Sequence, residues 1–386
     1  MALALVYIKR NLRDQHPVRN LTVEDAVRTV TGLDFNDVSR DVAPEVLADV
    51  IELFESVQSS QSTDSLGDTL EIVLSSLNAA GRYGQFRTPS HVAQFMARTT
   101  PIRKGDVLLD PAAGTGGFLV AALQQRERVS FEILGDEVDQ TMVNVARANV
   151  LLMGRDHVCI RHRDALNFLN EEADVILANP PFAGRIVNRQ SYGLKSNSNK
   201  SEILFVELIM RRLREGGVTS IVIPSGVLTS TDSASMAIRR RLIEEGQVLC
   251  VIELPRGVFR PYTDILTAIV YWKKSAQTKG VQMFRPISDG FTLDDRREPT
   301  QDNQLLEIEA DVKEAVRTSK KSKHSMEIGL ETLQENSLNL LPSWYQVLEV
   351  TSPEGPSLTS LADEISVQSR RLESLIKSLS KGLRNE

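Results

Sequence analysis

Val107-Leu-Leu-Asp110-Pro-Ala-Ala-Gly114-Thr-Gly116-Gly117-Phe-Leu-Val120 decides the fold. An apolar run enters a glycine-rich turn, and a second apolar run with helical character leaves it. Glycines at a strand-to-helix turn adopt backbone dihedrals closed to other residues and let a ligand approach the main chain. A dinucleotide fold would read GxGxxG, with pyrophosphate on the helix N-terminus. Here the spacing is GxGG, preceded by Asp110. A carboxylate at the mouth of the turn repels pyrophosphate and accepts from an ammonium, so the pattern fits S-adenosylmethionine better than NAD.

Three further strand ends follow. Ser130-Phe-Glu-Ile-Leu-Gly-Asp136-Glu137-Val ends in acidic residues, roughly twenty positions downstream, where nucleoside-binding sheets place a carboxylate on ribose hydroxyls. Glu137 is chosen for that role over Asp136. Val158-Cys-Ile-Arg-His leads to Arg163-Asp164-Ala165-Leu166, where Asp164 can accept from the cofactor's adenine amine. Asp174-Val-Ile-Leu-Ala178 delivers Asn179-Pro180-Pro181-Phe182. The four ends fall on one edge of a parallel sheet, the edge where ligands bind in open α/β folds.

The last of these ends carries the chemistry. An exocyclic amine conjugated to a purine is a poor nucleophile. The Asn179 side-chain oxygen and a neighbouring carbonyl, both accepting from its N–H groups, would turn its lone pair toward a methyl donor and stabilise the growing positive charge. The prolines lack an N–H and have fixed φ, so the carbonyls are presented at little entropic cost. Phe182 is expected to stack on the base.

With these motifs in order, the chain resembles the modification subunit of type I restriction-modification systems, adenine-specific DNA methyltransferases. The matching residues are Gly84-Gln85-Phe86-Arg87-Thr88-Pro89, the Asp110 to Phe118 loop, Gly135-Asp-Glu137, Asp164-Ala-Leu and Asn179 to Phe182. Ile221-Val-Ile-Pro224-Ser-Gly-Val-Leu228, Val251-Ile-Glu-Leu-Pro255-Arg-Gly-Val-Phe259 and Asp289-Gly-Phe-Thr-Leu-Asp-Asp-Arg296 are also similar. The order, with the Gly84 to Pro89 element ahead of the glycine loop, is that of the gamma class. Arg87 stands where the family usually has an aromatic, and the region before Gly84 is shorter than usual.

The resemblance implies a Rossmann-like S-adenosylmethionine-dependent methyltransferase sheet, with a helical N-terminal region and a helical C-terminal extension. It implies catalytic Asn179, Pro180, Pro181 and Phe182. Cofactor contacts would come from Gln85, Phe86, Thr88 and Pro89, from Asp110, Ala112, Gly114, Thr115, Gly116, Gly117 and Phe118, and from Glu137, Asp164 and Ala165. The implied substrate is double-stranded DNA, with a specificity subunit reading the sequence. A second copy of the chain and a restriction/translocase subunit are further partners of such assemblies. Rival readings are an RNA guanine or protein glutamine methyltransferase, and a non-catalytic scaffold of a defence complex.

The remaining sequence is consistent with this frame. The 386 residues are 41% hydrophobic and 25% charged, ordinary for a globular protein. Cys159 and Cys250, the two cysteines, lie in apolar strand patterns and are expected in the core of a protein from a reducing compartment. The five histidines have no ligand spacing, so no metal site is expected. Lys9 and Arg10 follow the first apolar residues too soon for a secretory signal, and no apolar run nears spanning length. A cytoplasmic location is expected. The net charge of −6 argues against tight DNA binding by the chain alone.

The expected organisation is a helical region over 1–80, a catalytic domain over 81–290, an extension over 291–356 and a partner helix over 357–386. Val46-Leu47-Val50-Ile51-Phe54-Val57 and Leu66-Leu70-Val73-Leu74-Leu77 follow helical periods across a Ser/Gln-rich linker at 58–64. Leu358, Ile365, Leu372 and Leu379, with Leu361 and Leu375, mark a heptad seam. The polar segment 183–200, with Arg185, Arg189, Lys195 and Lys200, reads either as a loop over the flipped base or as a solvated loop. Arg317 to His324 is read as a solvated basic run.

Overall fold

The computed structural model describes residues 88–125, 131–152, 158–182, 184–186, 192–275 and 277–349. The expected helices over 1–80, the residues Gly84, Gln85, Phe86 and Arg87, the Arg189 part of the polar segment, and the heptad seam over 357–386 lie outside the described residues. The chain divides into Met1–Pro342, which holds the entire described sheet, and Ser343–Glu386.

The first described helix, α1 (Ser90–Thr99), precedes β1 (Val107–Asp110). Then come α2 (Gly117–Gln125), β2 (Glu132–Glu137), α3 (Gln140–Leu152), β3 (Cys159–His162) and β4 (Ala173–Ala178). After α4 (Ser201–Arg212) follow β5 (Leu213–Pro224), α5 (Ser225–Thr229), α6 (Ser233–Glu244), β6 (Gln247–Glu253), β7 (Thr267–Lys273) and β8 (Gly280–Phe284). The rest is α7 (Gln304–Glu307), α8 (Glu309–Thr318), β9 (Met326–Gly329), α9 (Leu330–Glu335) and α10 (Pro342–Glu349).

The nine strands form one sheet in the order β3-β2-β1-β4-β5-β7-β6-β8-β9. β3, β2, β1, β4 and β5 run parallel, and β7 is antiparallel to both β5 and β6. Apolar strands joined by helices form such a parallel core because both faces are covered, and β1 and β4 at its centre are almost wholly buried. Val175 and Leu177 of β4 join the cluster made by Val92, Phe95 and Met96 of α1, Leu119 of α2 and Val312 of α8. The chain moves outward from β1 through β2 to β3, then crosses back to β4 on the other side of β1. That reversal opens a crevice beyond the strand ends, the usual ligand site of open sheets. The pairs Leu108↔Val175 and Leu109↔Ile176 set Asp110 and Asn179 at the same end of it.

Three details depart from the pattern reading. No loop separates α4 from the next strand: the helix stops at Arg212, and β5 begins directly at Leu213. Leu213 pairs with Ala173, and a register shift before Val175 accommodates Glu215-Gly216-Gly217, with Gly216 at φ 79°. Cys250 is buried as expected, but Cys159 is exposed. Its strand, β3, lies at the end of the described sheet, so alternate residues face outward. The sheet also continues through β8 and β9, so residues after 290 contribute to it.

No helix among the described residues is long and apolar enough to cross a membrane.

Candidate functional site

Asn179 leaves the end of β4 beside Thr88, which stands just ahead of α1. The Asn179 amide donates from Nδ2 to the Thr88 hydroxyl at 2.9 Å. That contact fixes the rotation of the amide and turns its other end away. Asn179 Oδ1 is buried and has no hydrogen-bond partner among the described residues. A buried amide oxygen left unpaired costs free energy, and in a cleft it is an acceptor held ready for a donor.

The proline turn after Asn179 is braced from α4. Ser201, buried at the first position of α4, donates from its hydroxyl to the Pro181 carbonyl at 2.7 Å. The same hydroxyl accepts from Gly184 N–H at 3.1 Å, and Ser201 N–H donates to the Gly184 carbonyl at 3.0 Å. The Pro181 carbonyl is thereby committed. A Cβ at Gly184 would meet the Ser201 hydroxyl at 2.8 Å, which fixes glycine there. Phe182 is 5% exposed and meets Phe259 edge-on, with ring centroids 6.1 Å apart. Phe259 belongs to the Pro255 to Phe259 motif, so two stretches read separately in the sequence pack on each other.

The glycine turn follows β1. Gly114 and Gly116 hold φ of 53° and 83°. A Cβ added at Gly114 or Gly117 would project into open space, while one at Gly116 would press on Ala146 of α3 at 3.3 Å. The turn is therefore packed behind and bare in front. Asn149 of α3 steadies it by donating to the Thr115 carbonyl at 2.7 Å.

Asp110 is 1% exposed, and its pKa is pushed up to about 8. Burial is the main cause, the Glu137 and Asp136 carboxylates add to it, and the Ala112 N–H bond opposes it. A cation arriving beside it would restore the charge. Glu137 accepts from Gly114 N–H at 2.8 Å on Oε2, and from Val138 and Asp139 N–H at 2.8 and 2.9 Å on Oε1. These bonds lock its orientation and leave acceptor capacity on Oε2 for a hydroxyl donor.

Asp136 points elsewhere and is consumed. It is fully buried and takes Arg161 Nε at 2.7 Å, Arg163 Nε at 2.9 Å and Arg212 Nη1 at 2.7 Å, a network completed by Glu171. The alternation of β2 thus assigns the two carboxylates different work. Asp164 caps the single turn Ala165–Asn167, accepting Leu166 N–H at 3.0 Å on Oδ1. Val138 is 66% exposed directly after Glu137, an apolar side chain at the rim that the sequence reading overlooked. Asn149 and Ser201 were overlooked too, because each is joined to the site by a contact distant in sequence.

The structure therefore brings Thr88, Asp110, Gly114, Gly116, Glu137, Asp164 and Asn179 to one end of the sheet; Gln85 and Phe86 lie outside the described residues. These groups fit the cofactor expected from the sequence. A bare glycine turn, a buried carboxyl that ionises beside a cation, a carboxylate with spare acceptor capacity and a capping aspartate match an amino acid joined to a nucleoside.

Comparison with protein families matches residues 61–353 to the N-6 DNA methylase family. The chain is 33% identical over 251 residues to the methylase subunit of the EcoEI type I restriction enzyme from Escherichia coli, covering 60% of this chain and 51% of that protein. It is 26% identical over 347 residues to the HindI type I methylase subunit from Haemophilus influenzae, covering 81% and 77%. Among solved structures, the modification subunit of a type I restriction enzyme from Vibrio vulnificus superposes with a TM-score of 0.65 at 26% identity, covering 80% of this chain and 68% of that one. The type I methyltransferase subunit from Streptococcus thermophilus gives 0.64 at 24%, covering 78% and 67%, a likeness of fold. The chain spans about half the length of its EcoEI relative.

Proposed function

The chain belongs to the N-6 DNA methylase family, and on that premise we propose that it transfers a methyl group from S-adenosylmethionine to the 6-amino group of an adenine turned out of double-stranded DNA. The observation that carries this reading is the buried Oδ1 of Asn179, without a hydrogen-bond partner among the described residues and aimed by the Thr88 contact. Asn179 Oδ1 and the Pro180 carbonyl would accept the two N–H groups of the amine, holding its lone pair toward the donor. Both acceptors gain strength as positive charge grows on nitrogen, which is where binding lowers the barrier. Phe182 would form the wall against which the purine lies. The target must leave the stack, because its amine is out of reach inside a duplex.

The cofactor, when bound, supplies an electrophilic methyl group on a sulfonium. Thr88, Pro89 and the Asp110 carboxylate would hold its amino-acid end. The glycine turn with Ala112, Thr115 and Phe118 would admit it to the main chain. Glu137 would hold the ribose, Asp164 with Ala165 the adenine, and Val138 would cover its edge. These contacts fix the distance between amine and methyl, so positioning and electrostatics carry the rate.

The net charge of −6 argues against tight DNA binding by this chain alone, and we assign sequence recognition to a DNA specificity subunit, the partner that the family resemblance implies. A second copy of this chain and a restriction/translocase subunit complete the assembly we propose. Uptake of labelled methyl groups into duplex DNA, RNA and protein by the assembled complex tests the function. Label at N6 of adenine in duplex DNA is expected. Label confined to RNA or protein would contradict the reading, and so would failure of the wild-type complex to label any acceptor.

A further inference from the structure

The segment that leaves Phe182 returns to the cofactor side of the sheet. There the Tyr192 hydroxyl donates to Asp164 Oδ2 at 2.9 Å, while Oδ1 keeps the Leu166 N–H. Tyr192, Ile186 and Leu194 pack against a buried cluster that includes Ala165, Leu166 and Leu204, and Ala112 of the glycine turn packs on the same cluster. Just beyond, the N–H groups of Lys195 and Ser196 donate to the buried Glu207 carboxylate at 2.7 and 2.8 Å. The described part of this segment is therefore anchored, and Tyr192 is set where one polar atom meets the carboxylate expected to read adenine.

We propose that Tyr192 is a positioning residue for the cofactor's purine, and that through Asp164 it makes the site discriminate a 6-amino from a 6-oxo purine. This rests on the assignment of Asp164 given under the proposed function. A carboxylate clasped by an N–H and an O–H is held as an acceptor, and each oxygen still has a lone pair to offer. A 6-amino group supplies a donor to that lone pair. A 6-oxo group turns an acceptor toward it, and sites built on one hydrogen-bonding partner reject the group that cannot supply it. The Tyr192 hydroxyl has its pKa raised, first by the bond to Asp164 and then by partial burial, so it stays a donor. Fixing the carboxylate before the ligand arrives reduces the ordering needed on binding.

The test is calorimetry on the full chain, wild type and Tyr192→Phe, with S-adenosylhomocysteine and its 6-oxo counterpart S-inosylhomocysteine as probes. Wild type is expected to prefer the amino compound. Tyr192→Phe is expected to bind it about ten-fold more weakly, the scale of one hydrogen bond to a charged group, with little change for the oxo compound. Narrowed discrimination separates positioning from a merely structural role, which would weaken both ligands alike. Equal losses, or an unchanged or improved affinity for the amino compound, would overturn the inference. A wild-type chain that binds neither ligand would instead overturn the cofactor reading on which it rests. Should Tyr192→Phe unfold, Tyr192→Met takes its place with the same expected narrowing, and an unaltered ratio in that variant overturns the inference, whereas an unaltered ratio in Asp164→Asn overturns the Asp164 assignment beneath it.

Discussion

The amide of Asn179 donates to the hydroxyl of Thr88 at 2.9 Å, joining residues 91 positions apart. One belongs to the element ahead of the glycine turn and the other to the proline turn after β4. The contact brings two motifs far apart in sequence together, and Thr88 sets which way the Asn179 oxygen faces.

Removing that hydroxyl should therefore release the amide without deleting it. In Thr88→Val, single-turnover methyl transfer at saturating cofactor is expected to fall about ten- to hundred-fold, on the scale of one oriented hydrogen bond in a transition state. Thr88→Ser should keep most of the rate. Equal rates in wild type and Thr88→Val would show that Asn179 needs no such anchor.

Asp110 predicts a pH dependence. In the folded, ligand-free chain its carboxyl holds a proton up to about pH 8, against an ordinary value of 3.8. With respect to this group, stability is fully present below about pH 3.8 and is lost as the pH rises through about 8. Pairing with an ammonium needs the ionised carboxyl, so cofactor affinity should rise as the pH climbs from acid toward about 8, and fall again once the ligand's own ammonium loses its proton. Calorimetry in buffers of different ionisation enthalpy should detect proton release on binding near pH 7, and Asp110→Asn should abolish it. Proton uptake, or none, in the wild type would refute the assignment.

Ser201 braces the proline turn without touching the reacting atoms. Ser201→Ala leaves the Pro181 carbonyl and the Gly184 N–H without their partner, a cost of about 1–3 kcal/mol. Chemical denaturation should show that loss. The methyl-transfer rate should fall while cofactor affinity holds, and a variant with full rate would show that the turn sets itself.

The Asp136 network makes an opposite prediction from its neighbour in sequence. Asp136→Asn leaves Arg212, 1% exposed, short of its carboxylate partner and should destabilise the fold by about 3–5 kcal/mol. Glu137→Gln turns an amide donor toward at least one of the three backbone N–H groups that Glu137 accepts, so it should cost about 1–3 kcal/mol, less than Asp136→Asn, and weaken cofactor binding. Equal unfolding midpoints for wild type and Asp136→Asn would contradict the structural role.

Much of this was legible in the chain. The glycine turn after β1, the acidic end of β2 and the proline turn after β4 are local patterns, and local chemistry dictates them. Strand alternation, a local rule, also sends Asp136 and Glu137 to different partners, the first to arginines and the second to the glycine turn. Contacts across sequence were not legible. Nothing near Tyr192 announces Asp164, and nothing near Ser201 announces Pro181. The exposure of Cys159 depends on the position of β3 in the sheet, and β9 depends on pairing with β8, neither of which a period reveals. The start of β5 at Leu213 was hidden by the glycines that follow it.

The most direct measurement is made on Asn179→Ala, with cofactor affinity and methyl transfer to duplex DNA determined on the same preparation. Cofactor affinity within about two-fold of wild type, together with a rate reduced at least about thousand-fold, is the expected result. Turnover close to that of the wild type would show that the amide oxygen does not hold the target amine.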